Sequence, residues 1–112
     1  MTKNGEMHLS ALRDGREVFL KGEKVDDVTR HPACRNSVQT SALLYDFQAA
    51  PENIEALTFV SPDSGERVNR CWQLPESYEE LLARRHALES WAECHYGFLG
   101  RSPDHVASGL AG

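Results

Sequence analysis

Residues Leu57 to Tyr96 read LTFVSPDSGERVNRCWQLPESYEELLARRHALESWAECHY, and the two halves of that stretch have different signatures. Leu57-Thr58-Phe59-Val60 is rich in β-formers and runs into Ser61-Pro62-Asp63-Ser64-Gly65, a turn cluster. Arg67 to Trp72 then predicts the returning strand of a hairpin. Ser77-Tyr78-Glu79-Glu80 reads as a capping box, in which the hydroxyl and the carboxylate each accept from a backbone N–H. A long helix is predicted from there to about Tyr96, where Gly97 stops it. Its apolar face is predicted to hold Tyr78, Leu81, Leu88, Ala92 and His95, with Leu82 and Trp91 beside it. A hairpin followed by a long helix makes the class α+β.

Upstream, Glu6 to Arg13 predicts a short helix, closed by the turn dipeptide Asp14-Gly15. Glu17 to Val25 carries apolar residues on both sides of Gly22 and predicts a second small hairpin. Pro32 suits the first turn of a helix, and His31 before it reads as a cap. Val38, Ala42, Tyr45 and Ala49 recur at helical spacing, and Pro51 ends the run near Ala50. The expected fold is mostly helical with two small hairpins.

The chain has 112 residues, 40% hydrophobic and 26% charged, enough for one small domain with a marginal core. Its net charge of −5 argues against nucleic acid as a partner, and Arg84-Arg85, side by side, reads as a solvated patch. No apolar run has the length of a membrane span, and Met1 to Glu6 lacks the apolar stretch of a signal peptide. The expected compartment is the cytoplasm. Cys34, Cys71 and Cys94 form no C-x-x-C pair and read as reduced, partly buried thiols. Among the five histidines none has metal-ligand spacing to another, so no metal is expected. His8 and His86 read as surface residues, and His95 as a core histidine.

Chemistry concentrates in Tyr96-Gly97-Phe98-Leu99-Gly100-Arg101-Ser102-Pro103-Asp104-His105. Ser102 suits an N-cap, with Pro103 at the first helical position and Asp104 in the first turn. Arg101 would sit just outside that helix, where the positive end of the helix dipole adds to the guanidinium and suits an oxyanion. Read as punctuation alone, the same residues stop one helix and start another, with Arg101 at the surface.

The string YGFLGRSPDH is similar to a motif of the 4-hydroxyphenylacetate 3-hydroxylase family. Leu12-Arg13-Asp14-Gly15-Arg16-Glu17-Val18 resembles that family's opening LxDGREV stretch, and Gly22 to Ala33 its GExVxDVTxHPA block. Leu44-Tyr45-Asp46 and Leu81 to Trp91 also fall in register, so the resemblance runs from about residue 9 to the end. Several blocks in order are far more specific than one motif.

The resemblance implies the oxygenase component of a two-component monooxygenase. A separate flavin reductase would supply reduced FAD, which forms a C4a-hydroperoxide with O2 and hydroxylates a phenol such as 4-hydroxyphenylacetate at the ortho carbon. The implied fold is that of acyl-CoA dehydrogenases. Residues 1–112 would be its N-terminal helical domain, truncated, without the central β domain and the C-terminal bundle that holds a homotetramer. Carried over residue by residue, the substrate site takes Arg101, Ser102, Pro103, Asp104 and His105, with Arg101 and His105 catalytic. Many family members have Tyr where this chain has His105, which puts 4-hydroxyphenylacetate itself in doubt as the substrate. One alternative is a non-catalytic binding domain derived from this fold. Another is a 4-hydroxybutyryl-CoA dehydratase-like enzyme, disfavoured because no second cysteine lies near Cys94 to hold an iron–sulfur cluster.

Overall fold

The computed structural model describes residues 2–97 and 109–110. The chain divides into two compact units, Lys3–Phe47 and Gln48–Gly112 with Met1–Thr2. Among the described residues the class is α+β: four α-helices and two antiparallel two-stranded sheets.

In the first unit, α1 spans Gly5–Ala11, and the Asn4 side chain accepts from the Met7 N–H at 2.9 Å. The helix stops two residues short of the expected Arg13, because the Leu12 N–H turns to the carbonyls of His8 and Leu9. Gly5 starts α1 against the next helix: its N–H donates to Asp46 Oδ1 at 2.8 Å. Strands β1 (Val18–Leu20) and β2 (Glu23–Val25) pair with Val18 opposite Val25 and Leu20 opposite Glu23. Lys21 and Gly22 join them at φ 52° and 81°, the double positive φ of a type I′ turn. His31 caps as expected, its Nδ1 accepting from the Ala33 N–H at 3.1 Å and its carbonyl accepting from Cys34 and Arg35. Helix α2 then runs Arg35–Ala49, with Ala42 buried at the centre of the predicted face.

In the second unit, a one-turn helix α3 (Ile54–Leu57) precedes strand β3 (Thr58–Val60), which pairs with β4 (Arg67–Asn69). Two details differ from the sequence reading. The run taken as strand up to Trp72 leaves the ladder after Asn69, because Asn69 Oδ1 accepts from the Cys71 N–H and tightens Arg70–Trp72 into a 3-10 turn. Within α4 (Tyr78–His95) the buried stripe is Ala87, Trp91 and His95, whereas Tyr78 and Leu81 are exposed. Trp91 is the largest fully buried side chain, and the helix turns its ring inward in preference to the row of leucines. The cap is Ser77, whose Oγ accepts from the Glu80 N–H, while the Glu80 carboxylate accepts from Glu76 rather than from Ser77.

Arg70 joins these pieces. Its guanidinium donates to the carbonyls of Glu55 at 2.8 Å, Ala56 at 2.9 Å and Thr58 at 2.7 Å, supplying donors at the C-terminus of α3. It also donates to Gln73 Oε1 at 2.9 Å, and the Gln73 carbonyl accepts from Arg84 of α4 at 3.1 Å. Arg84 is therefore a bracing residue and not part of a solvated pair.

Arg70→Met should lower stability by about 2 kcal/mol, as charge-assisted hydrogen bonds are lost. Arg70→Lys should recover less than half of it, since an ammonium cannot span three carbonyls. In the first unit, a Cβ at Gly5 would lie 2.6 Å from the Ala42 carbonyl oxygen and 2.6 Å from Asp46 Oδ2. Gly5→Ala should therefore cost about 1–3 kcal/mol through overpacking. Urea unfolding midpoints measure all three variants.

Candidate functional site

Helix α4 delivers the chain to the motif predicted to carry chemistry. Trp91 and His95 bury one turn apart at its C-terminal end, at 1% and 7% exposure. Tyr96 then enters the left-handed region at φ 55°, ψ 25°, and Gly97 follows at φ 76° with its N–H on the Ala92 carbonyl at 3.2 Å. The helix thus ends where Gly97 predicts, held by the carbonyl of its last full turn. Arg101, Ser102, Pro103, Asp104 and His105 lie outside the described residues. The structure places the helix that leads to them.

Behind that helix sits a layer of paired charge. Arg67 Nη2 meets Glu55 Oε1 at 2.6 Å and its Nη1 donates to Thr58 Oγ1 at 3.0 Å. Burial, and then the neighbouring Arg67, pull the Arg70 pKa down, with Glu55 and Glu80 opposing. Fully buried Cys71 has its thiol pushed up to about 12 by burial, so it is a packing residue and not a nucleophile. Cys94 is exposed, and its pKa is raised by burial of the sulfur and then by Glu93. Among the described residues no group of His, Cys, Asp and Glu is arranged to hold a metal ion.

The first unit has its own polar cluster, which the sequence did not signal. Asp27 Oδ1 accepts from the Thr29 N–H at 2.9 Å and from its hydroxyl at 2.6 Å, and these bonds lower the carboxyl pKa. Arg13 donates to Thr29 Oγ1 at 3.0 Å and lies 3.4 Å from Asp27, while Arg16 forms a fork on Asp14. That fork holds the Asp14 pKa near 2. These residues border an open cavity of about 300 Å³ lined also by Leu12, Val18 and Val25. Both guanidiniums there already carry a carboxylate partner, so the cavity offers no uncommitted charge. His8, expected at the surface, is half-buried with its ring 4.6 Å from that of Tyr45. Burial, and then Lys3, depress its pKa.

Residues 4–112 match the family described as 4-hydroxyphenylacetate 3-hydroxylase N terminal. The chain belongs to that family. It is 44% identical over 108 residues to the oxygenase component of a Rhodococcus 4-nitrophenol 2-monooxygenase, covering 95% of this chain and 21% of that protein. Its structure is similar to that of the oxygenase component of 4-hydroxyphenylacetate 3-monooxygenase complexed with FAD and 4-hydroxyphenylacetate. There the TM-score is 0.82 at 38% identity, over 91% of this chain and 21% of that one. An archaeal 4-hydroxybutyryl-CoA dehydratase from N. maritimus shares the fold more distantly, with a TM-score of 0.66 and 26% identity over 83% of this chain and 18% of that one. These likenesses place the domain in the acyl-CoA dehydrogenase-like fold expected from its sequence blocks. The chain spans about a fifth of the length of the relatives it matches.

Sequence reasoning missed Arg70, Arg84 and Tyr96. Nothing local marks the two arginines, since their partners stand on other elements. Tyr96 carried a signal, an aromatic residue directly before a helix-ending glycine.

The Cys71 thiol fixes a sign for alkaline stability. Its folded pKa, near 12, exceeds the ordinary value of 9.0, so the folded chain keeps a proton that the unfolded chain releases. Stability from this group is complete below pH 9 and is lost as pH rises toward 12. Urea midpoints of the parent and of Cys71→Ala should converge between pH 8.5 and about pH 11. A constant gap would show that the sulfur does not titrate differently on folding.

Proposed function

We propose that residues 1–112 form the N-terminal domain of the oxygenase component of a two-component, FADH2-dependent monooxygenase that hydroxylates a phenol ortho to its hydroxyl group. The observation that carries this reading is the match, over 91% of the chain, to an oxygenase solved with FAD and 4-hydroxyphenylacetate. The relatives' names support the regiochemistry. Position 2 of 4-nitrophenol and position 3 of 4-hydroxyphenylacetate are both the carbon next to the phenolic hydroxyl. A central β domain, a C-terminal helical bundle and a homotetramer complete the proposed enzyme. It works in the cytoplasm beside a flavin reductase, and among the described residues no helix is long and apolar enough to cross a membrane.

The cavity of about 300 Å³ in the first unit is too small for FAD and its cations are paired, so FAD binding is assigned to the remainder of the enzyme. Bound there, reduced FAD supplies two electrons and activates O2, one oxygen atom entering the ring and the other leaving as water. This chain's part is to hold the phenol. Arg101 presents a planar fork of donors to the phenolic oxygen and favours negative charge on it. Ser102 caps a new helix, Pro103 and Asp104 form its first turn, and its dipole adds to the field at Arg101. His105, in that same turn, takes the phenol proton as charge moves onto the ring.

In the complete oxygenase, Arg101→Ala should lower kcat/KM for the phenol by about 100-fold and raise release of uncoupled hydrogen peroxide. Its stability should stay within about 0.5 kcal/mol of the parent. Arg101→Lys should recover little of the loss. A strongly lowered melting temperature with normal coupling would make Arg101 structural and overturn the assignment.

A further inference from the structure

We propose that Tyr96 is a specificity-determining residue of the same site, its ring stacking on the aromatic ring of the phenol. The inference rests on the functional reading above and deepens it. Two independent observations about one residue carry it. Tyr96 occupies the left-handed region at φ 55°, ψ 25°, a conformation disfavoured for any residue with a Cβ. Its side chain is also 86% exposed, the most exposed large hydrophobic group among the described residues. A tyrosine held in a costly backbone conformation ordinarily repays that cost by packing, and here the ring lies almost wholly in solvent. Helix termination does not require it, because Gly97 at φ 76° already supplies the turn and its N–H closes on Ala92. Glycine at 96 would serve the turn better. The ring therefore serves something other than the fold of its own unit.

Chain position and chemistry select the partner. Tyr96 stands at the exit of α4, with only Gly97, Phe98, Leu99 and Gly100 between it and Arg101. His95, the residue before it, is buried beside Trp91, which anchors the backbone from which the ring projects. A flat aromatic side chain pairs with a second flat ring in offset or edge-to-face geometry, at centroid separations of about 4.5–7 Å. A guanidinium fork for the phenolic oxygen and a ring for the phenol's face are complementary: one fixes the polar end, the other the plane.

The test uses the complete oxygenase with Tyr96→Gly and Tyr96→Phe. Dissociation constants for 4-hydroxyphenylacetate and 4-nitrophenol come from calorimetry, that for FADH2 from anaerobic titration, beside melting temperature, kcat and KM. Tyr96→Gly should keep or raise the melting temperature, since glycine accepts the left-handed turn. It should raise Kd and KM for both phenols about tenfold while kcat and FADH2 affinity stay within about twofold. Tyr96→Phe keeps the ring and should match the parent. Unchanged phenol affinity in Tyr96→Gly, or a sharply lowered melting temperature, would overturn the proposal. Weakened FADH2 binding with normal phenol affinity would overturn it too, by assigning the ring to the flavin. A parent enzyme that neither binds nor hydroxylates either phenol fails the functional reading itself, whereas an active parent with an indifferent Tyr96→Gly fails only this inference.

Discussion

The second unit hangs on one guanidinium. A one-turn helix such as α3 leaves most of its carbonyls without intrahelical donors, and left alone it is marginal. Arg70 supplies three N–H donors to that terminus, on Glu55, Ala56 and Thr58, from a position only one residue past the second strand. Hairpin and helix are therefore closed on each other by a charge that is itself half-buried. Burial lowers the Arg70 pKa, yet a guanidinium remains charged at any pH the protein meets, so the clamp has no acid–base switch. Through Gln73 the clamp extends to Arg84, and so to the helix that leads to the candidate site.

Local signals and tertiary signals part company along this chain. Ser77, Pro51, Gly97 and the Lys21-Gly22 turn act on backbone groups within a few residues, and the structure places helix ends and the turn where they indicate. The face of α4 is a different kind of fact. Its leucines are spread round the helix, so spacing alone does not select a side. The choice is made by Trp91, whose ring buries more area than any leucine and takes His95 and Ala87 with it. The same reasoning explains Arg67 to Trp72. Those residues have strand character, but Asn69 offers its side chain to the Cys71 N–H, and that competing bond ends the ladder.

The candidate site was legible by another route. Residue types around Arg101 permit a plain helix stop and restart just as well as an oxyanion site, and physical reasoning on the string alone does not choose between them. Ordered blocks from Leu12 to His105 point to a family, and the family match over residues 4–112 agrees with them. What the blocks do not convey is support. The clamp through Arg70, Gln73 and Arg84 explains why α4 is rigid enough to present a motif beyond its end.

Charge tells how the domain divides its labour. In the first unit Arg13, Arg16 and Lys24 stand against Asp27, Asp14 and Glu17, and in the second Arg67 stands against Glu55. Surface pairs of this kind contribute little stability each, but they leave their cations committed. Arg70 is likewise spent on carbonyls, and Arg84 on the Gln73 carbonyl. A domain that commits its arginines to its own scaffold has few to offer a substrate. An arginine set between a helix stop and a helix start, as Arg101 is in sequence, lacks neighbouring carboxylates until Asp104. That local poverty of acid is what an oxyanion site requires, because a guanidinium already paired in place has no fork left to present.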